Sequence, residues 1–415
     1  MAEHLETESR FDIAIAGSSF AGLALARGLL QALGPEVKIA IIDRVQGPPS
    51  ASEDSRAFAI WAGAKTILES LGIWEAIAPD AQAMTSIEIS DSALEDGLRP
   101  TLLSYDAIAP DGSPVAYIVP AATLNAALHR SVAHEPSVSW FTPAEARKLV
   151  LEADSAAVTL DDGRRIRAAL CVGADGRKSR LREAAGIKTV GWAYEQTGIV
   201  ATIKFSEPHR GVAIQHFLPG GPFAILPLPN NRACITWSAN KDEAARVMAL
   251  DDAGFLAELD QRIGGRFGSI ALDGPRQSWP LDIKLSRQLI GRRLALIGDA
   301  AHGVHPIAGQ GVNLALRDVA ALIEVLVDAG RLGLDYGDGT HLERYQRWRR
   351  FDSTMSATFY DCLNRMFGID NLAVRAGRGA ALGVLDRLPS LKRLILTEVA
   401  GLTGELPKLS RGCAV

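Results

Sequence analysis

Leu294-Ala-Leu-Ile-Gly298-Asp299-Ala-Ala-His302-Gly-Val-His305-Pro306-Ile-Ala-Gly309-Gln310-Gly311-Val-Asn313-Leu-Ala-Leu-Arg317-Asp318 is the stretch on which the reading of this chain turns. An apolar run of strand length ends in Gly-Asp, crosses a loop of glycines and proline, and opens a long apolar-periodic helix. Asp299 then stands at the carboxyl end of a strand, and unhindered backbone N–H groups stand at a helix start. An anionic cofactor with a ribityl chain needs both. The carboxylate accepts hydroxyl hydrogen bonds, and a helix N-terminus stabilises negative charge by ~0.3–1 kcal/mol. Arg317 and Asp318 fall further along the helix, where this reading asks only that they be surface residues.

Working outward, Phe11 to Gly17 reads as a buried strand, Ala21 to Leu33 as a helix and Val37 to Asp43 as a second strand. This βαβ unit carries Gly17-Ser18-Ser19-Phe20-Ala21-Gly22 at its first turn, with an acid about twenty residues on. Gly17 permits the tight turn and Gly22 the close packing of helix on strand. Asp43 is positioned to accept hydrogen bonds from an adenosine ribose, with Arg44 beside it. Ser19 replaces the middle glycine of the usual fingerprint, and its small Cβ is a tolerable replacement. Taken alone, the turn fits an ordinary βαβ unit equally well.

A hairpin around Asp162-Gly163 leads into a strand, Ala168 to Ala174, that again ends in an acid and a glycine, Asp175-Gly176. Four cations follow, Arg177, Lys178, Arg180 and Arg182, which in isolation read as a charged loop capping a helix. From about Gly191 to Asp282 the pattern changes to short β-rich segments between Gly, Pro and Asn turns. These predict an antiparallel sheet inserted between two cofactor-binding halves, one face of which roofs a substrate cavity.

Composition agrees with an ordinary globular enzyme: 47% hydrophobic and 22% charged residues over 415. A formal net charge of -4 leaves no nucleic-acid footprint. The polar stretch from Met1 to Arg10 does not read as a signal peptide, and no apolar run is long enough to span a bilayer. Cys171, Cys234, Cys362 and Cys413 are scattered, as expected for reduced thiols in a cytoplasmic protein. From Asn371 onward seven cations face three acids. Leu388, Leu391, Leu394, Ile395, Leu396 and Val399 recur there at helical spacing. Such a helix either packs on its own protein or lies on an anionic membrane surface.

The ordered series of Gly17–Gly22 with Asp43, Asp175-Gly176, and Gly298-Asp299 through Asn313 resembles the flavin-dependent aromatic hydroxylases of the para-hydroxybenzoate hydroxylase fold. It is most similar to the ubiquinone-biosynthesis hydroxylases, whose signature looks like His305-Pro306-Ile307-Ala308-Gly309-Gln310-Gly311. The resemblance extends to Ser55-Arg56-Ala-Phe-Ala-Ile, Leu71-Gly72-Ile73-Trp74, Tyr117-Ile118-Val119 and Leu342-Glu-Arg-Tyr-Gln-Arg-Trp348. It implies that Ser18 to Gly22 hold the pyrophosphate of FAD, Asp43 the ribose and Asp299 the ribityl chain. It further places Arg56 near the flavin, and the backbone of Gly309, Gln310, Gly311, Val312 and Asn313 against the isoalloxazine. Asp175 and Gly176 match a motif implicated in both FAD and NAD(P)H binding. His302, His305 and Pro306 fall near the ring. Pro120-Ala121-Ala122 departs from the polar or basic residues of relatives, so a side-chain contact to FAD there is in doubt.

The fold expected is α/β: a Rossmann-like FAD-binding domain (1–75, 115–185, 288–335), an inserted antiparallel sheet as substrate domain (76–114, 186–287) and a C-terminal helical region (336–415). The resemblance implies a monooxygenase that uses NADPH or NADH as a transient reductant and O2 as co-substrate. Its substrate would be a prenylated phenol or quinol, with membrane or biosynthetic-complex contact as further options. A second nicotinamide fingerprint is lacking, which suits a reductant that visits the flavin and leaves. His302-x-x-His305 has a spacing that zinc can use, but Pro306 and the glycines argue for cofactor wrapping instead, so no metal is expected. An isoprenoid reductase or epoxidase, or an FAD-bound scaffold subunit, remain the alternative readings.

Overall fold

The computed structural model describes residues 9–48, 50, 53–94, 99–109, 111–369 and 371–415. The polar stretch before Ser9 lies outside them. Ser9–Ala16 is central because Ile13 and Ile15, like Ile39, Ile41 and Ile42 of the next strand, are buried to within 2%. Strands apolar on both faces belong inside parallel sheets covered by helices. Here the sheet runs Ile290–Gly291, Leu294–Leu296, Arg165–Gly173, Ser9–Ala16, Ile39–Ile42, Val138–Phe141. The pairings from Leu294–Leu296 to Val138–Phe141 are all parallel. Ala146–Leu151 and Ala156–Leu160 join Arg165–Gly173 antiparallel, as the Asp162-Gly163 hairpin predicts.

The Phe20–Leu33 helix covers this sheet together with Gln310–Arg331, which is buried along most of its length. Gly28 permits their close approach: a Cβ there would stand 2.2 Å from Ile323 Cδ1. Such contacts between large apolar faces supply the main stabilisation, roughly 25 cal/mol per Å² removed from water.

A nine-stranded sheet forms the second layer. Its order is His302–Gly303, Gln277–Ser286, Thr189–Phe205, Arg232–Asn240, Gly221–Leu228, Val212–Leu218, Ser86–Asp91, Leu103–Asp106, with Ile270–Leu272 attached to Thr189–Phe205. One pairing corrects the antiparallel expectation: Val212–Leu218 runs parallel to Ser86–Asp91, with Val212 opposite Ser86. No hairpin ties these two strands, which are far apart in sequence, so nothing local imposes the antiparallel sense. His302–Gly303, inside the stretch quoted first, hydrogen-bonds to this sheet while Leu294–Leu296 belongs to the other. The loop is thereby stretched between the layers.

Three helices close the chain: Gly339–Phe367, Leu372–Asp386 and Pro389–Val399. The last packs Leu396 and Val399 against a cluster containing Trp61 and Val115. Its other face leaves Leu391 and Leu394 exposed by 43% and 67%. No helix of the described residues is long and apolar enough to cross a membrane.

Candidate cofactor and active site

Parallel register brings the three motifs to one edge. Ala16 lies opposite both Gly173 and Ile42, and Gly173 lies opposite Leu296. The next residues, Gly17, Asp43, Asp175 and Gly298-Asp299, therefore emerge side by side at the carboxyl ends of neighbouring strands. Open α/β sheets bind ligands at that edge. Backbone bonds lock the junction: Gly17 N donates to Ile42 O at 2.8 Å and Ala174 N to Ala16 O at 2.7 Å.

Gly17 turns with φ +109°, and a Cβ there would stand 2.1 Å from Ala174 O. Gly22 is equally constrained, its Cβ falling 2.0 Å from Gly17 O. These positions keep the backbone low. The Phe20–Leu33 helix begins at Ser19 with no side-chain cap and no acid in its first turn. Gln310–Arg331 begins the same way, at Gly309 in the left-handed region, and a Cβ on Gly311 would meet nothing within 4 Å. Two helix starts thus present unsatisfied N–H groups at the same edge, as an anionic dinucleotide requires.

Asp299 is less enclosed than its neighbours, with a side chain 43% exposed. Arg177 Nε lies 3.3 Å from Asp299 Oδ2; its Nη2 donates to Val304 O at 2.8 Å and its Nη1 pairs with Asp282. Arg177 thereby joins the Gly298-Asp299 loop to the nine-stranded sheet. Arg56, paired with Asp54 at 2.8 Å, also feels the field of Asp299, and its pKa is raised, chiefly by the Asp54 hydrogen bonds. Two arginines consequently flank the carboxylate placed for the ribityl chain.

Asp175 Oδ2 accepts Arg180 N at 2.7 Å and Leu181 N at 3.2 Å, capping the short helix Arg180–Ala184. Its Oδ1 is buried with no partner among the described residues, and burial raises its pKa. Gly176 has φ +79° and open space around it. The open glycines, uncapped helix starts and orphaned acceptor fit FAD and a visiting nicotinamide. Two surface clefts of about 270 and 560 Å³ share no residue with this cradle.

Other expected site residues serve the scaffold as well. Asp43 Oδ2 accepts Ser18 N at 2.6 Å and Ser18 Oγ at 2.9 Å, holding the turn before any ribose arrives. Arg44 and Ser19 are exposed, Ala21 is buried, and Phe20 meets Phe58 edge-on. Asn313 Oδ1 accepts Trp61 N at 3.0 Å, while its Nδ2 donates to Ala59 O and Gly309 O. Gln310 is 1% exposed, its Nε2 directed to Val399 O. Pro306 leads into the single turn Ile307–Gly309, and Val312 is buried.

His302, expected near the ring, is engaged in a buried ion pair. Its Nε2 lies 2.5 Å from Asp318 Oδ2, which also accepts Gly298 N at 3.0 Å. Asp318 Oδ1 accepts Arg349 Nε at 2.8 Å, and Arg317 and Arg349 both reach Asp352. This corrects the surface reading of Arg317 and Asp318, which are 9% and 0% exposed. The Gly339–Phe367 helix lies across them, a long-range contact that local periodicity does not encode. Burial opposes every charge here. Even so, Asp318 and His302 hold each other ionised, the carboxyl pKa lowered and the imidazole pKa raised. Arg182, read as one of four loop cations, is 2% exposed and donates to Ala300 O at 2.8 Å and Arg177 O at 2.7 Å. Its lone sequence signal was a cation close behind Asp175-Gly176.

Comparison with known proteins agrees with this geometry. The family model described as an FAD binding domain matches residues 10–350. The "Ubiquinone hydroxylase UbiL" of Rhodospirillum rubrum is 38% identical over 97% of this chain and 92% of its own length. The "3-demethoxyubiquinol 3-hydroxylase" of Escherichia coli is 32% identical over 95% of this chain and 100% of its own. Among solved structures, p-nitrophenol 4-monooxygenase PnpA from Pseudomonas putida superimposes with a TM-score of 0.79 at 17% identity. That match covers 96% of this chain and all of the other. Its fold is therefore shared. The chain belongs to the family of FAD-dependent monooxygenases that includes the ubiquinone-biosynthesis hydroxylases.

Proposed function

We propose that this monooxygenase hydroxylates the aromatic ring of a prenylated phenol or quinol in ubiquinone biosynthesis. The carrying observation is near full-length similarity to two hydroxylases whose names specify ubiquinone or demethoxyubiquinol. FAD, reduced by NADPH or NADH, supplies the activation of O2 when bound. The chain's own part is to bind, orient and exclude water. Ser18 to Gly22 receive the pyrophosphate on the first uncapped helix start, and Asp43, already bonding Ser18, adds a ribose hydroxyl. Asp299 receives the ribityl chain between Arg56 and Arg177, and Asp175-Gly176 serve the dinucleotides. The N–H groups at Gly309 to Asn313 would offer fixed dipoles to the negative charge of a bound, reduced ring without reorganisation.

Two measurements test this. Pure protein incubated with excess FAD should be yellow and, with reductant, should consume O2 faster when a prenylated phenol is added. Expression in a strain lacking a ring-hydroxylation step should restore quinone and remove the accumulated precursor by mass spectrometry. Unchanged precursor in each such strain rejects the assignment.

The finer location proposed is peripheral, against an anionic membrane surface. The exposed Arg387 and Arg393, beside the outward Leu391 and Leu394, support it. Vesicles containing anionic lipid should co-sediment the full chain and not one truncated after Asp370. Equal sedimentation of both rejects this contact.

A further inference from the structure

Three residues beyond His302 the same loop buries a second imidazole, and the two are treated differently. His305 is 1% exposed, yet neither ring nitrogen has a hydrogen-bond partner among the described residues. Interiors leave few polar groups in that condition, because an unmet buried group forfeits its hydration without return. Burial and the nearby Arg177 hold the ring neutral, its pKa lowered to about 3. A neutral imidazole offers one donor and one acceptor.

An aromatic ring and an apolar cluster stand beside His305, with the charges of Arg177 and Asp361 close by. Tyr194 meets it edge-on, with ring centroids 5.3 Å apart and planes at 80°. Tyr194 is fixed in turn, its hydroxyl donating to Asp361 Oδ1 at 2.6 Å. Asp361 also accepts Arg365 Nε at 2.9 Å and Trp192 Nε1 at 3.3 Å, which ties the Gly339–Phe367 helix to this wall. Leu281, Ile283 and Val304 pack with Tyr194. The preceding carbonyl, Val304 O, accepts from Arg177, the side chain that reaches Asp299. The backbone that carries the orphaned imidazole is thus tied to the arginine that also reaches Asp299.

We propose that His305 receives the ring hydroxyl of the substrate, one imidazole nitrogen bonding a phenol or quinol O–H while Tyr194 holds the imidazole in place. This rests on the function proposed above and adds the side chain that recognises the aromatic hydroxyl. A site built around a hydroxyl rejects the analogue that lacks it, since its buried polar group is then unmet again. His302 leaves only Nδ1 unpartnered, its Nε2 being held by Asp318.

The test uses the FAD-loaded full chain and two probes, 2-geranylphenol and its methyl ether 2-geranylanisole. Binding is read from the change in the visible spectrum of bound flavin. Wild type should bind the phenol at least tenfold tighter than the ether. His305→Phe should bring that ratio within threefold while bound FAD and the thermal midpoint hold. His305→Asn, which keeps a donor and an acceptor, should recover part of the ratio. His305→Leu is the second variant should the larger ring not fold. A ratio of wild-type size in either apolar variant overturns the proposal, as does a wild type that does not discriminate. Failure of the functional reading looks different. There, neither probe stimulates NAD(P)H oxidation or perturbs the flavin of the wild type. By contrast, a wild type stimulated by the phenol whose His305→Leu variant keeps its ratio refutes His305 alone.

Discussion

At the scale of single residues, the cradle is decided by what is missing as much as by what is present. Gly17 carries φ +109° with Ala174 O where a Cβ would go, so Gly17→Ala must move backbone in the central sheet. A positive φ forced on alanine and a clash with a carbonyl together should cost about 2–4 kcal/mol. A fall of several degrees in the thermal midpoint and loss of bound flavin are the expected readings. Asp299→Asn differs, because the side chain is 43% exposed and the change is isosteric, removing only the charge. The fold should persist by circular dichroism while FAD affinity, read by quenching of flavin fluorescence, falls at least tenfold. Affinity unchanged within twofold would remove Asp299 from the ribityl position.

The places of these residues were legible because glycine and aspartate at strand ends have few structural uses. Asp43 shows how far that goes. Its place after the second strand is readable, but not its hydrogen bonds to Ser18, since side-chain pairing across a turn depends on coordinates that spacing does not fix. His302 shows the limit more sharply. Its partner, Asp318, follows sixteen residues on, far beyond the three- or four-residue spacing at which a local pattern flags a pair.

At the scale of elements, the Gln310–Arg331 helix is braced from behind by an ionic group that the periodicity did not announce. Asp318 has no exposure, and its partners His302 and Arg349 have almost none. Asp318→Ala strips His302 and Arg349 of their shared buried carboxylate, leaving Arg349 only Asp352, and should cost about 3–5 kcal/mol. The pH dependence follows from the two shifts. His302 has its pKa raised above 6.5, so its contribution is complete below that value and is lost as pH rises through the raised folded pKa. Asp318 has its pKa lowered from 3.8, so its contribution is complete above that value and is lost as pH falls through the lowered one. Stability should therefore decline above pH 6.5 more steeply in wild type than in His302→Phe. Thermal midpoints from pH 5 to 9 would decide it, and parallel curves would contradict the pairing.

Whole-molecule organisation depends on a few ties between the layers. Arg378, on the Leu372–Asp386 helix, pairs with Asp91 of the nine-stranded sheet at 2.8 Å, the two side chains being 6% and 4% exposed. It also donates to Ile369 O at 3.0 Å and to Met366 O at 2.5 Å. Removing one partner of such a pair strands the other. Asp91→Ala should free the last two helices while the sheets stay folded. Hydrogen exchange would then rise across 372–399 and not across 9–16 or 39–42. Exchange that rises everywhere, or nowhere, would place the anchor elsewhere.

From residue order alone followed the βαβ start, the three strand-end motifs and the β-rich layer beside them. Each rests on short-range rules: apolar periodicity, turn residues and the few conformations open to glycine. Tertiary structure alone decided that Ser86–Asp91 pairs parallel with Val212–Leu218, that Arg182, Arg317 and Asp318 are interior, and that Tyr194 is held by Asp361. Those outcomes join residues far apart in the chain. A charge is buried or solvated according to what distant segment covers it, and burial is what makes an ion pair, an orphaned imidazole or an exposed leucine consequential.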